Sequence, residues 1–162
     1  MHLTNSILEK RRISLVYRIR RKVMQKFVVL GLLGLCSLED LRRRELTVFY
    51  ILLFGIVGLL FHLFAPVCSI YSVLWGMVIG AVLILISLVT RGSVGMGDGI
   101  LLVVTGVYLG GYENLELLMT GLFLAAIWAL GLLVLKKKKG KEEIAFVPFL
   151  LVSYLVMLVR GI

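Results

Sequence analysis

A long stretch without charge constrains this chain more than any other feature. Residues 46–90 contain no aspartate, glutamate, lysine or arginine. A transmembrane helix needs about 20 apolar residues, so this stretch is long enough to cross a bilayer twice. Pro66 interrupts it, because proline removes a helical hydrogen bond. A mean hydropathy of +1.06 and a charged fraction of 17%, against about 25% in soluble domains, predict a single all-α membrane domain.

Four further segments have the apolar composition of membrane helices: Phe27–Leu38, Gly99–Leu109, Leu117–Leu135 and Ile144–Val159. Pro148 falls near the first turn of the last segment, where proline is tolerated. With the two helices in residues 46–90, these segments predict a polytopic protein of about six transmembrane helices. Glycines are predicted to allow close helix contacts: Gly76 with Gly80, Gly106 with Gly110, and Gly31 and Gly34 opposite the glycines at 95–99.

Basic residues are concentrated in alternate loops of this six-helix arrangement. Arg42, Arg43 and Arg44 follow the first helix, Arg91 follows the third, and the lysines at 136–141 follow the fifth. The other loops, around Pro66 and at residues 110–112, contain none. Because lysine and arginine are retained in cytoplasmic loops, we predict a multi-pass cell-membrane protein with its arginine-bearing loops in the cytoplasm.

The N-terminal segment is an exception to this pattern. Residues 1–26 contain eight basic residues, although the six-helix arrangement would put them outside the cell. Three explanations are open: residues 1–23 are an untranslated extension before a natural start at Met24, they form an interfacial amphipathic helix on anionic lipid, or the first helix fails to span. We favour the first and predict a transmembrane domain at residues 24–162.

The composition disfavours nucleic-acid and metal binding. The net charge of +9 is explained by loop charges that fix orientation and attract acidic lipid headgroups. No base-stacking platform accompanies it, so we do not expect nucleic acid as a partner. Cys36 and Cys68 form no Cys-x-x-Cys pair, and His2 and His62 are isolated. We therefore predict no bound metal and no cofactor.

The chain has only two aspartates, and both adjoin a predicted cytoplasmic loop. Asp40 follows the first helix, and Asp98 ends Gly95-Met96-Gly97-Asp98 before the fourth. Each has a structural explanation by itself: Asp98 as a helix cap, and Asp40 as a solvated loop carboxylate paired with Arg43 or Arg44. Together at one membrane face they predict a functional pair. Two adjacent carboxyls share one proton, so one can act as the acid and the other as the base.

On these residues the sequence resembles the type IV prepilin peptidases, membrane aspartic proteases of the GxGD type. Their first motif is an aspartate at the end of a helix, followed by basic residues and often Ile-Pro-Asn. Asp40-Leu41-Arg42-Arg43-Arg44 matches its start, and Leu46-Thr47 stands where Ile-Pro is usual. Their second motif is Gly-x-Gly-Asp, often followed by x-Lys-Leu. Gly95-Met96-Gly97-Asp98 matches it, without the lysine.

A third and weaker match, at residues 145–150, precedes the last helix, so the resemblance covers residues 24–160. The paired Cys-x-x-Cys motifs of the bifunctional family members are absent, which indicates the short, standalone form without the N-terminal methyltransferase domain. The implied substrate is a pilin-like precursor whose short basic leader is removed at the cytoplasmic face. Two alternatives stay open: a GxGD-type intramembrane protease with another single-span substrate, and a non-enzymatic scaffold or transport subunit. The sequence does not indicate the oligomeric state.

The resemblance also assigns roles to individual residues. It implies a catalytic dyad of Asp40 and Asp98, whose carboxyls we expect within roughly 3–5 Å of each other. Gly95 and Gly97 let the backbone bend and a substrate strand approach closely. Arg42–Arg44 are candidates for steering an acidic residue of the substrate toward the site.

Overall fold

The computed structural model describes residues 2–43, 46–64, 68–90, 95–134 and 145–161. Within these ranges the chain forms six α-helices and no strand, which confirms the predicted all-α class. The helices are α1 (His2–Arg43), α2 (Val48–Phe64), α3 (Ile70–Val89), α4 (Met96–Leu109), α5 (Gly111–Val134) and α6 (Val147–Val159).

The first helix is much longer than the apolar segment that predicted it. The apolar segment begins at Phe27, whereas α1 begins at His2 and extends over 42 residues. Residues 2–30 contain neither glycine nor proline, so no backbone feature stops the helix where the apolar segment starts. The helix also continues through residues 23 and 24, and the assignment of 1–23 as an extension stays a prediction.

The other boundaries differ less from the expected ones. Helix α4 begins at Met96, inside the glycine motif, and α5 begins at Gly111 rather than Leu117. Gly110 makes the tight turn between them with a φ of 79°, a left-handed conformation that glycine adopts at little cost. Helix α6 begins at Val147 with Pro148 in its first turn, as predicted.

Two of the helices are long and apolar enough to cross a bilayer, at Ile70–Val89 and Gly111–Leu132. Helices α2, α4 and α6 are shorter apolar helices, so the number of spans stays a prediction. Large apolar side chains cover the outside of these helices; Phe64, Trp75 and Val89 are 84%, 69% and 76% exposed. A surface of this kind is solvated by lipid and not by water.

Helix α4 lies at the centre of the fold and contacts α1, α2, α3 and α5, whereas α6 packs on α1 and α5. Glycines bring α3 and α4 together. A Cβ atom at Gly76 would lie 2.6 Å from the Gly106 carbonyl oxygen, and one at Gly99 would lie 2.6 Å from Ile84 Cγ1. The predicted close contacts at Gly76, Gly80, Gly106 and Gly110 are confirmed, whereas Gly99, which was expected to face α1, packs against α3 instead. The same expectation for Gly31 and Gly34 is wrong, because a Cβ at either meets no atom within 4 Å.

A fully buried amide joins three of these helices. The Asn114 side chain in α5 donates hydrogen bonds to the carbonyl oxygens of Gly76 (2.9 Å) and Leu102 (3.0 Å) and accepts one from the Thr105 hydroxyl (2.7 Å). Unpaired polar groups are costly in an apolar interior. This network therefore fixes how α3, α4 and α5 sit relative to one another around the central helix.

Candidate active site

Asp40 lies inside α1 and not in the loop that follows it. Val29, Leu33 and Cys36 precede it at helical spacing, and all three are buried. Because side chains three and four residues apart share a helix face, Asp40 continues this inward face and is only 8% exposed. The alternative of a solvated loop carboxylate is therefore wrong.

The polar partner of Asp40 comes from the last helix. The backbone N–H of Val147, the first residue of α6, donates a hydrogen bond of 2.9 Å to Asp40 Oδ2. The first turn of a helix leaves amides without intrahelical acceptors, and Asp40 satisfies one of them in a buried setting. Val147 belongs to residues 145–150, the third motif-like segment.

A neighbouring carboxylate, Glu39, was missed by sequence reasoning. Its two oxygens accept hydrogen bonds from the Thr47 backbone N–H and the Thr47 hydroxyl, both at 3.1 Å. Thr47 stands where the resembling family usually has proline, which has no N–H to donate. In this chain, Glu39 and Thr47 therefore tie the start of α2 to the end of α1, next to Asp40.

Asp98 is the third residue of α4 and is half-buried. The N-cap position belongs to Gly95, without a side-chain capping bond, so the prediction of Asp98 as the capping residue is not supported. Among the described residues, none donates a hydrogen bond to the Asp98 carboxylate. Helix α1 contacts α4, and Gly97, next to Asp98, lies against Leu46 just beyond the end of α1. The structure thus brings the two aspartates to the same end of the bundle.

The glycines of the motif make room around Asp98. A Cβ atom at Gly95 would lie 2.9 Å from Asp98 Oδ2, and one at Gly97 would lie 3.0 Å from Leu46 Cβ. Both distances are shorter than ordinary van der Waals contacts. Gly95 thus leaves space for the carboxylate, and Gly97 leaves space for the connection between α1 and α2.

The arginines of the first motif lie beside this pair. Arg42 and Arg43 are exposed in the last turn of α1, where positive charge suits the negative end of the helix dipole. Arg44 falls outside the described residues. The exposed position of Arg42 and Arg43 is compatible with contact to a substrate or to acidic lipid headgroups.

Thiol and metal chemistry find little support elsewhere in the described residues. Both cysteines are free, Cys36 buried and Cys68 half-buried. Burial, followed by the charge of Glu113, raises the pKa of the Cys68 thiol, which disfavours the reactive thiolate. The described part of the chain contains no group of three histidine, cysteine, aspartate or glutamate side chains that could hold a metal ion.

Comparison with known proteins places this chain in a family. The family model described as the type IV leader peptidase family matches residues 27–134. The chain belongs to the type IV leader peptidase family. The match is that of a membrane-embedded peptidase and includes both aspartates and the glycine motif, whereas α6 lies beyond it. No curated protein and no solved structure matches the chain.

Proposed function

We propose that this family member is a membrane-embedded aspartic endopeptidase that uses Asp40 and Asp98 as its catalytic pair. The observation that carries the proposal is the burial of Asp40 in α1, which contacts α4, with Asp98 in the first turn of α4 beside the end of α1. A carboxylate placed in an apolar bundle is costly and marks a functional site by default. The Gly95-Met96-Gly97-Asp98 turn, which leaves space around the second carboxylate, supports the same assignment.

Two neighbouring carboxyls supply the chemistry of peptide hydrolysis without a covalent intermediate. They do not both ionise, because like charges at short distance repel. The ionised carboxylate removes a proton from water, and the protonated carboxyl donates a hydrogen bond to the scissile carbonyl oxygen. Water then attacks the carbonyl carbon, and the tetrahedral intermediate collapses as the leaving amine takes a proton. The pair titrates as one unit with two apparent steps.

The proposed substrate is a pilin-like precursor, with a short basic leader before an apolar helix. The apolar helix enters the bilayer beside the bundle, which leaves the leader junction at the membrane face that holds Asp40 and Asp98. We assign that face to the cytoplasm from the distribution of basic loop residues. Arg42 and Arg43, exposed at the same end of α1, are placed to attract an acidic residue near the cleavage site.

The test is co-expression with an epitope-tagged pilin-like precursor, followed by gel analysis for a leader-sized mobility shift. Asp40→Asn and Asp98→Asn should each abolish the shift, because a single carboxyl does not serve as both acid and base. Glu39→Gln is the matched control: it removes a neighbouring charge but keeps a carbonyl oxygen for Thr47, and it should still process the precursor. Membrane abundance of every variant is measured in parallel.

Other outcomes would redirect the proposal. Processing by the Asp40→Asn or the Asp98→Asn chain would remove that aspartate from the mechanism. Loss of processing on EDTA treatment would indicate metal chemistry instead of an aspartate pair. A precursor left uncut by the unaltered chain, while another single-span protein is cleaved, would favour a different intramembrane substrate.

A further inference from the structure

The contact between Asp40 and α6 bears on which member of the pair is the base. Helix α6 starts with a particular arrangement of backbone donors. Pro148 has no N–H, and the amides of Phe149 and Leu150 both donate to the Phe146 carbonyl oxygen at 3.0 and 3.4 Å. The Val147 amide donates to Asp40 Oδ2 instead. The one amide of Val147–Leu150 that leaves its own helix is thus directed at a candidate catalytic carboxylate.

This donor favours the anionic form of Asp40 for two reasons. A hydrogen bond from an N–H to a carboxylate is stronger than one to a neutral acceptor. The N-terminal end of a helix also carries partial positive charge. Asp98 lies in the first turn of α4 and is also close to the positive end of a helix, but it receives no hydrogen bond from any described residue. Among the described residues, the two carboxyls therefore differ by one direct donor.

The remaining ionisable groups near Asp40 do not reverse this difference. Asp98 lies at the start of α4, which contacts α1, and Cys36 and Glu39 lie within a turn of Asp40 on α1. The exposed Arg42 and Arg43 follow Asp40 in the last turn of α1, and their positive charge also favours its anionic form. Helix α6 has no charged side chain between Val147 and Val159. Its Tyr154 donates its hydroxyl proton to the Lys26 carbonyl oxygen at 3.0 Å, further along α1. The Val147 N–H is therefore the group of α6 that brings partial positive charge to Asp40.

We propose that the first turn of α6 holds Asp40 as the ionised member of the pair, so that Asp40 is the base and Asp98 carries the shared proton. This inference rests on the proposed peptidase function and makes the Val147 amide a positioning group. It acts through Asp40 and need not touch the substrate.

The direct test replaces the Val147 amide by an ester. Cell-free synthesis into nanodiscs with a suppressor tRNA that carries the α-hydroxy acid analogue of valine removes the donor and keeps the buried side chain. We expect the acid limb of the kcat/KM profile to move up by roughly one to two pH units, with the plateau at higher pH retained. Valine inserted by the same route is the control, and Val147→Ala, which keeps the N–H, should leave the limb in place.

A second measurement does not depend on activity. Cys36 lies one turn before Asp40 and is 2% exposed, so in a Cys68→Ser background its labelling by a thiol reagent reports opening between α1 and α6. Asp40→Ala should label faster than Asp40→Asn, because asparagine keeps an acceptor for the Val147 amide. Both variants lack the Asp40 charge, and Asp40→Leu, which is close to asparagine in size, serves as the volume control: its labelling should also be faster than that of Asp40→Asn, which reports the hydrogen bond and not the lost volume.

The outcomes separate this inference from the function on which it rests. An ester chain that cleaves with an unchanged acid limb overturns the assignment of Asp40 as the base and leaves the peptidase function in place. Equal labelling of Cys36 in the two Asp40 variants overturns the positioning contact. An unaltered chain that cleaves no precursor, with the labelling difference intact, overturns the proposed function and with it the base assignment.

Discussion

At the scale of single residues, the glycines of the second motif leave space that a side chain would otherwise occupy. Gly95 has a φ of −61° and a ψ of 121°, a conformation that any residue adopts. Its absence of a side chain is therefore a matter of space, because a Cβ would lie 2.9 Å from Asp98 Oδ2. The motif thus determines which position the Asp98 carboxylate can occupy.

Gly95→Ala should lower kcat by about tenfold to a hundredfold, since a displacement near 1 Å of a catalytic group costs about that much. Thermal stability should change little, because Gly95 is exposed and its backbone conformation suits alanine. Gly31→Ala is the matched control, as its new Cβ would meet no atom within 4 Å. Equal cleavage rates in the two variants, measured on the same precursor, would contradict the spatial role of Gly95.

At the scale of helices, two devices hold the centre of the fold: glycine contacts between α3 and α4, and the Asn114 network. Asn114 connects two carbonyl oxygens and one hydroxyl, and the Thr105 hydroxyl also lies 3.3 Å from the Leu102 carbonyl oxygen. Loss of the Thr105 hydroxyl leaves the Asn114 side-chain oxygen without its donor in an apolar interior, which is the costly case.

Asn114→Leu should destabilise the protein by about 1–3 kcal/mol, measured as the midpoint of unfolding in detergent. Thr105→Val should also destabilise it, because the Asn114 oxygen then loses its donor. The double variant should lose less than the sum of the single variants, since the hydroxyl and the amide interact directly. Strict additivity would show that the Thr105–Asn114 hydrogen bond contributes nothing measurable.

Gly76→Ala should separate α3 from α4, because its Cβ would lie 2.6 Å from a carbonyl oxygen of the facing helix. Overpacking of this kind costs about 1–3 kcal/mol. Gly131→Ala in α5, where a Cβ meets nothing within 4 Å, provides the control and should be at least as stable as the parent chain. A Gly76→Ala protein with the parental unfolding midpoint would contradict the close α3–α4 contact.

These elements also show what the sequence can and cannot predict. Apolar segments predicted six helices, and the glycine spacings predicted close helix contacts at residues 76–80 and 106–110, because both signals depend on local composition. The start of α1 escaped prediction, since charged residues form helices as readily as apolar ones do. The contact between the Val147 amide and Asp40 was not predicted either. Every residue except proline has a main-chain N–H, so no residue type marks this donor, and a contact across 107 positions leaves no local pattern.

At the scale of the whole molecule, the bundle has two chemically different ends. Asp40, Asp98 and the exposed Arg42 and Arg43 lie at one end. Helix α4 runs from Asp98 at that end to Gly110 at the other, where the Gly111 amide donates to the Ser72 hydroxyl oxygen at 3.2 Å. The proposed reaction requires that the first of these ends faces the leader of the precursor.

Reporter fusions should therefore give a cytoplasmic signal at Arg43 and an exterior signal at Tyr112. Fusions at Arg91 and Lys138, which lie outside the described residues, should agree with Arg43, and one at Pro66, also outside them, should agree with Tyr112. The physical reason is the retention of basic loops in the cytoplasm. An exterior signal at Arg43 would place the aspartates on the wrong side of the membrane for a cytoplasmic leader.

Asp40 accepts its hydrogen bond from the main chain of α6, and this has a consequence for expressing the protein as two fragments. A fragment that ends with α5 would keep both aspartates and the glycine motif but lose the donor from α6. A separate peptide of residues 145–161 would restore that donor, since the bond depends on the backbone of Val147 and not on its side chain. Fragment complementation would then make the last helix an activator in trans, and the cleavage rate would saturate with the amount of peptide added.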